Sequence, residues 1–187
     1  MTLALDDCSD GELAALALGG RQSAYTALLG RYRESVFRLV RATIGDSDAA
    51  VDVTQEAFVS AFTALKSYDV QRPFKTWISR IAINKCRDWA RRRAVRRFFS
   101  FALPIEAAAT IADDTFTADQ QISDRADLAR AQAAIASLSQ ALREPLVLRT
   151  IEGLTQAEAA QVLGISEKAV EMRLYRARAR LTELLRD

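Results

Sequence analysis

The chain contains no histidine and two cysteines, Cys8 and Cys86, far apart in sequence. Without an imidazole there can be no Ser-His-Asp or Cys-His nucleophile pair, and two thiols cannot complete a four-ligand Cys/His zinc site. No carboxylate constellation with a recognisable pocket pattern replaces them, so neither a metal nor a cofactor is expected and an enzyme is the least supported class. No apolar run approaches the ~20 residues that span a bilayer. The amino terminus places Asp6 and Asp7 where a signal peptide would carry bases. These absences point to a cytoplasmic protein with reduced thiols, Cys86 packing within its helix. No repeat of solenoid type is present either.

What is present is helical and unevenly charged. The 187 residues are half apolar, enough for one ordinary domain or two small ones. The net charge of +2 conceals a segregation. Between Arg72 and Arg97 ten Lys/Arg face Asp88 alone, whereas Phe98 to Asp124 holds five acids and no base.

The organising stretch is Leu154 to Leu185. Thr155 with Glu158 three residues on forms a capping-box pattern that opens a helix over Gln156 to Leu163, and Gly164 closes it. Ile165 drops between the helices, and Ser166 caps a second helix from Glu167 to about Arg186. There Val170, Leu174, Ala177, Leu181 and Leu184 recur at helical spacing and face inward, leaving Lys168, Arg173, Arg176, Arg178 and Arg180 outside. Two helices joined by a tight turn, the second cationic, suit the DNA major groove, with early residues meeting base edges and later arginines meeting phosphates. The simpler alternative is a solvated amphipathic helix.

Upstream, Ser9 and Glu12 cap a short helix, Asp10 to Leu18, that stops at Gly19-Gly20. Tyr25, Leu28, Leu29, Tyr32, Val36, Leu39, Val40 and Ile44 make an apolar stripe through Gln22 to Ile44, ended by Gly45. A third helix from near Asp48 to about Lys66 buries Val51, Phe58, Ala61, Phe62 and Leu65. Its Asp52, Gln55 and Glu56 share one side, and periodicity alone favours a solvated edge over a docking stripe. After a loop, Ser67 to Arg72, Pro73 suits the first turn of a helix reaching about Arg93. This helix interleaves Trp77 and Trp89 with Arg80, Asn84, Lys85 and Arg87, a composition that fits single-stranded nucleic acid; Trp77 is read as core. Its arginine cluster self-repels unless a polyanion is near. Phe98 to Asp124 loses periodicity and reads as an acidic linker lying against basic surface. A helix from about Asp124 to Ser137 then presents Leu128, Ala131 and Ile135. Leu138 and Ser139 are a staple and cap for Gln140 to Glu152, in which Pro145 marks a kink or a later start.

Several of these segments together resemble bacterial sigma factors of the extracytoplasmic-function group. The residues that carry it are Asp52-Val53-Thr54-Gln55-Glu56-Ala57-Phe58, then Arg72-Pro73-Phe74-Lys75-Thr76-Trp77-Ile78 with Ile81-Ala82-Ile83-Asn84 and Asp88. In the second half they are Glu152 to Ala160, Leu163-Gly164-Ile165-Ser166, and Val170 with Arg173 to Arg178. The likeness covers nearly the whole chain, and it is the order of the motifs on these helices that makes it specific.

The resemblance implies an all-α protein of two small helical domains: a region-two bundle over residues 1–97, a flexible acidic linker over 98–124 and a region-four helix-turn-helix over 125–187. It implies that Asp52, Gln55 and Glu56 dock on the clamp helices of the RNA polymerase largest subunit, reversing the solvated-edge reading, with the flap region as a further part of core polymerase that the chain engages. It implies that the loop and the following helix read and melt the −10 promoter element, a base being flipped into a pocket formed by the loop. The candidates for binding −10 DNA are Tyr68, Asp69, Arg72, Phe74, Lys75, Arg80, Asn84, Arg87, Arg91 and Arg92, with Asn84 and Arg80 making the polar contacts. Ser166, Lys168, Glu171, Met172, Arg173, Tyr175, Arg176 and Arg178 would read the −35 element as duplex. The linker would thread toward the polymerase channels. Promoter DNA, core RNA polymerase and an anti-sigma factor are the implied partners, with no small-molecule substrate, and the chain is a monomer when free or 1:1 with the anti-sigma factor.

The chain departs from the family pattern at Leu138-Ser139, where Leu-Pro is common, and at Glu171 and Met172, where Lys or Ser is frequent. Glu171 could accept a hydrogen bond from a cytosine amino group. The rivals are a dimeric helix-turn-helix regulator that works without polymerase, and a sigma-like decoy that titrates a regulator. The stripe on the third helix and the single-strand-like helix argue against the first; the lack of a receiver domain argues against the second.

Overall fold

The computed structural model describes residues 5–102 and 119–186, and among these every regular element is a helix. In chain order they are α1 (Asp10–Leu18), α2 (Gln22–Ile44), α3 (Ser47–Thr63), α4 (Phe74–Ala102), α5 (Asp119–Ser137), α6 (Gln140–Thr150), α7 (Gln156–Leu163) and α8 (Glu167–Leu184). Single 3₁₀ turns occupy Leu5–Asp7 and Leu65–Ser67.

The helix ends follow their local chemistry. Both capping boxes form: the Ser9 and Thr155 hydroxyls accept from the backbone N–H groups of Glu12 and Glu158, whose carboxylates receive the cap N–H groups at 2.6 and 2.7 Å. Asp46 caps α3 and Ser166 caps α8 in the simpler manner. Gly45 and Gly164 end their helices in the left-handed region at φ 70° and 67°, where a Cβ would be strained. Gly45 has a second reason: a Cβ there would lie 3.0 Å from Cβ of Ala136, so α5 can cross the end of α2 only over a glycine.

The buried apolar side chains form one continuous cluster. α2 contributes Leu28, Val36, Leu39 and Val40, α3 Val53 and Ala57, α4 Phe74, Ile78, Ala82 and Ile83. The second half adds Leu146, Val147 and Leu148 from α6, Val162 from α7, and Val170, Leu174 and Ala177 from α8. Each fully buried Val, Leu, Ile or Phe among them stabilises the fold by about 1.5–3 kcal/mol. The cluster is continuous because the halves pack on each other, α4 against α7 and α2 against α5 and α6.

Four local expectations are corrected. Val51 is 44 % exposed, and the inward stripe of α3 is Ala50, Val53, Thr54, Ala57, Phe58 and Ala61; apolar residues flank the stripe on both sides, so periodicity left it free to rotate by one position. α3 stops at Thr63, and Leu65 is buried from the 3₁₀ turn instead. α4 runs on through the arginine cluster to Ala102, because Ala and Arg are strong helix formers and residues 91–99 remain exposed all round, with Arg92 and Arg93 reaching Glu56 and Asp46 at 3.0 and 3.7 Å. Ser139 is the cap residue of α6, but its side chain caps nothing, and α6 starts at Gln140 with Pro145 inside it. Of the expected linker, residues 103–118 lie outside the described residues; its two ends belong to α4 and α5.

Candidate nucleic-acid interface

The turn between α3 and α4 and the first turns of α4 enclose a cavity of about 360 Å³ lined by Ser67, Tyr68, Asp69, Arg72, Trp77, Arg80 and Asn84. Local hydrogen bonds shape it. The Tyr68 hydroxyl donates to the Arg72 carbonyl at 2.7 Å, one Asp69 oxygen accepts the Gln71 N–H at 3.0 Å, and the other lies 3.2 Å from Arg72 Nε. The Tyr68 ring packs against Trp77 at 5.3 Å and edge-on to Phe74 at 5.2 Å. Burial, and then the negative charges of Asp10 and Asp69, push the Tyr68 hydroxyl above its ordinary range, so it stays a protonated donor. An aromatic wall with a carboxylate, guanidinium groups and an amide at the rim can stack and hydrogen-bond one unstacked base.

The other −10 candidates are placed differently. Phe74 is fully buried against Tyr32, Tyr68 and Trp77, so it cannot touch DNA; it supports the cavity from behind. The motif named the residue but not its direction. Trp77, read as core, is half-buried and serves both core and cavity. Lys75 and Arg87 face the second half of the chain: Lys75 Nζ donates to the Glu152 carbonyl at 2.5 Å, and Arg87 donates to both Glu144 oxygens at 2.9 and 2.6 Å. Arg80 and Asn84 are exposed beside the cavity. Arg91 pairs with Asp88 one turn earlier, and Arg92 with Glu56.

On α3, Asp52 and Gln55 are exposed and Glu56 is half-buried beneath Arg92. Sequence reasoning missed what lies next to them. A groove of about 970 Å³ runs between α2 and α3, with Leu29, Phe37, Val51, Phe58 and Val59 along it and Gln55 on its edge. The signal was Val59, an apolar residue off the stripe and 67 % exposed.

The helix-turn-helix has the expected geometry. Ser166 accepts the Ala169 N–H at 3.2 Å, and Gln156 on α7 donates to the Glu167 carbonyl at 3.1 Å, fixing the angle between the two helices. Lys168, Glu171, Met172, Tyr175, Arg176 and Arg178 are exposed, and Arg173 is half-buried. Tyr175 is 72 % exposed, well beyond what packing requires. The ion pairs on this face join neighbours on α8, Lys168 with Glu171 and Arg180 with Glu183. Thus the exposed face of α8 carries cations, the Glu171 carboxylate among them, and an aromatic ring, a set of groups that a duplex groove can accommodate.

The described residues hold no group of three or more His, Cys, Asp or Glu able to bind a metal, and no helix long and apolar enough to cross a membrane. Burial, then the nearby charge of Glu144, pushes the Cys86 thiol up to about 12, which makes it an inert packing group.

Comparison with known proteins matches two family models, "Sigma-70 region 2" over residues 28–96 and "Sigma-70, region 4" over residues 128–181. RNA polymerase sigma factor CnrH of Cupriavidus metallidurans is 41 % identical over 95 % of this chain and 94 % of its own length. RNA polymerase sigma factor NccH of Alcaligenes xylosoxydans is 37 % identical over 97 % of both chains. ECF RNA polymerase sigma factor SigM of Mycobacterium tuberculosis is 32 % identical over 95 % of this chain and 85 % of its own. A solved structure of CnrH in complex with the cytosolic domain of CnrY superimposes with a TM-score of 0.70 at 36 % identity, covering 94 % of this chain and 96 % of that one.

Proposed function

This chain belongs to the sigma-70 family of RNA polymerase sigma factors, in its extracytoplasmic-function group, and on that premise we propose that it is a dissociable transcription initiation factor of the cytoplasm. It binds core RNA polymerase, directs it to one class of promoter and catalyses no step itself. The observation that carries this reading is the pairing of two different nucleic-acid surfaces on one chain: a base-sized cavity flanked by Tyr68, Asp69, Trp77, Arg80 and Asn84, and a cationic helix dimensioned for a major groove.

The division of labour follows from the chemistry. The first half, residues 1–97, captures an unpaired −10 base, and stacking and hydrogen bonding offset the cost of unpairing. The second half, 125–187, reads the −35 duplex through α8, where Glu171 accepts from a cytosine amino group and Arg176 and Arg178 neutralise phosphates. Asp52, Gln55 and Glu56 dock on the polymerase clamp helices. Neither half alone gains enough to select a promoter; polymerase holds both at a fixed spacing, which turns two weak contacts into one strong one.

An anti-sigma factor is the proposed regulator, supported by the CnrH–CnrY complex. The apolar groove between α2 and α3 is where an amphipathic helix of such a partner fits, and occupying it would cover Gln55.

The test is permanganate reactivity of −10 thymines in complexes assembled with core polymerase. Wild-type protein should render them reactive, and Arg80→Ala with Asn84→Ala should abolish that while leaving −35 protection in place. Equal reactivity in the variant would remove the cavity from the account.

A further inference from the structure

The base-sized cavity between α3 and α4 is backed by a helix to which none of the DNA candidates belongs, α1. Ser9 and Glu12 cap this helix, so Asp10 stands at its first position with a fixed direction. One Asp10 oxygen takes Arg31 Nη1 at 3.0 Å and the other takes the Tyr32 hydroxyl, both from α2. Arg31 also donates to the carbonyls of Leu5 and Asp6, at 3.1 and 3.0 Å, which staples the residues before α1 to the same face. The Tyr32 ring lies 5.0 Å from Phe74, and Phe74 lies 5.2 and 5.3 Å from Tyr68 and Trp77, the aromatic walls of the cavity. Beside this relay Gly11 faces Val70, in the middle of the loop that rims the cavity. A Cβ on Gly11 would lie 3.4 Å from Cβ of Val70, so a methyl group fits in ordinary contact and a larger side chain would press on the loop.

We propose that α1 is the seat of the −10 loop: Asp10 and Tyr32 are positioning residues that hold Phe74 and, through it, Tyr68 and Trp77 in the geometry that receives an unpaired base, while Gly11 sets the depth of the loop at Val70. This rests on the reading of that cavity as the −10 base pocket. Neither Asp10 nor Tyr32 touches DNA. Their effect reaches the base through the packed rings.

The loop needs such a seat. It closes on itself through the Tyr68 hydroxyl on the Arg72 carbonyl and the Arg72–Asp69 pair, and Val70 at its centre is 57 % exposed. Those bonds fix the shape of the loop but not its place over α4, which comes from what lies behind it. A pocket that must meet a base to within about 0.5 Å depends on side chains locked by a supporting layer. A phenol bonded to a carboxylate is locked in this sense, because the bond is short and directional. Burial, and then the hydrogen bond to Asp10, push the Tyr32 hydroxyl far above its ordinary range, so it stays a protonated donor. A phenylalanine at this position would keep the ring contact and lose what fixes the ring.

The experiment uses the full chain with core polymerase and follows the rate at which −10 thymines become permanganate-reactive, alongside −35 protection and the thermal melt of the free chain. Asp10→Ala and Tyr32→Phe should each slow opening about tenfold, the loss expected for one hydrogen bond to a charged acceptor, with −35 protection unchanged. The double variant should be no slower than either single one, because both break the same link. Asp10→Asn, whose amide oxygen still accepts from Tyr32, should restore most of the rate. Gly11→Leu should slow opening with little change in the melt, since an exposed loop yields. Val40→Ala, a buried change two turns further along α2, should lower the melting temperature without slowing opening. Wild-type rates in Asp10→Ala and Tyr32→Phe, slowing that merely tracks the melting temperature, or additive effects in the double variant would overturn the seat. The underlying reading fails separately, if Arg80→Ala with Asn84→Ala opens promoters as fast as wild type does.

Discussion

α4 and α8 are both cationic helices that the sequence assigns to DNA, and they are built on opposite plans. α8 buries one narrow stripe, Val170, Leu174 and Ala177, and leaves all but Arg173 of its candidate −35 side chains exposed to water. α4 is packed along most of its first half, with Phe74, Ile78, Ala82, Ile83 and Cys86 buried, and two of its cations, Lys75 and Arg87, are held by acids from the other half. A duplex reader needs only a protruding ridge, since the groove is already open. A single-strand reader needs a shaped cavity, and a cavity needs a rigid wall behind it.

The comparison breaks most visibly at the two aromatics Phe74 and Tyr175. Phe74→Ala removes a fully buried ring and should cost about 3–5 kcal/mol, read as a large fall in the melting temperature and loss of the cavity. Tyr175→Ala, at a 72 % exposed site, should alter stability by less than about 0.5 kcal/mol while weakening −35 protection. If both variants melt alike, the contrast between the helices is wrong.

A mid-sized effect tests how the halves are joined. Gly45→Ala combines a strained left-handed residue with a Cβ 3.0 Å from Ala136, so α5 must shift. A loss of about 1–2 kcal/mol is expected, more than for Gly164→Ala, where no atom lies within 4 Å and only the backbone strain, about 1 kcal/mol, remains. Thermal melts of the two variants separate the contributions.

Smaller still is the cap of α7. Hydrogen bonds from the Thr155 backbone and hydroxyl, in that order, hold the Glu158 carboxyl below its ordinary value. A depressed carboxylate stabilises the fold above the unfolded value near 4.5 and loses that contribution as pH falls through the lower, folded value. Thr155→Ala should cost about 1 kcal/mol at neutral pH, and progressively less on acidification. The smallest effect concerns Cys86, whose thiol, raised to about 12, should be alkylated far more slowly at pH 8 than in the unfolded chain. Its raised value contributes stability that is complete below about 9 and lost as pH climbs toward 12.

Much of this architecture is legible in the sequence because it is local. Capping boxes at Ser9 and Thr155, the glycine after α7 and the inward stripe of α8 each follow from residues within one or two turns of one another. What escaped is non-local. Whether Val51 or Val53 faces inward depends on where α2 lies, and whether Phe74 faces DNA or the core depends on Tyr32 and Tyr68 behind it. The pairing of Arg87 with Glu144 spans 57 positions and that of Lys75 with Glu152 spans 77, separations over which periodicity carries no information. The sequence therefore names the groups at the candidate −10 site, and the packing decides which of them are available.

The most direct test of the central claim is run-off transcription with purified core polymerase on a pool of promoter fragments, comparing wild type with Gln55→Ala/Glu56→Ala. The account predicts specific transcripts with wild-type protein and a marked loss in the variant at unchanged helical content. No specific transcripts from the wild type, together with protection of a palindromic duplex by the protein alone, would contradict it.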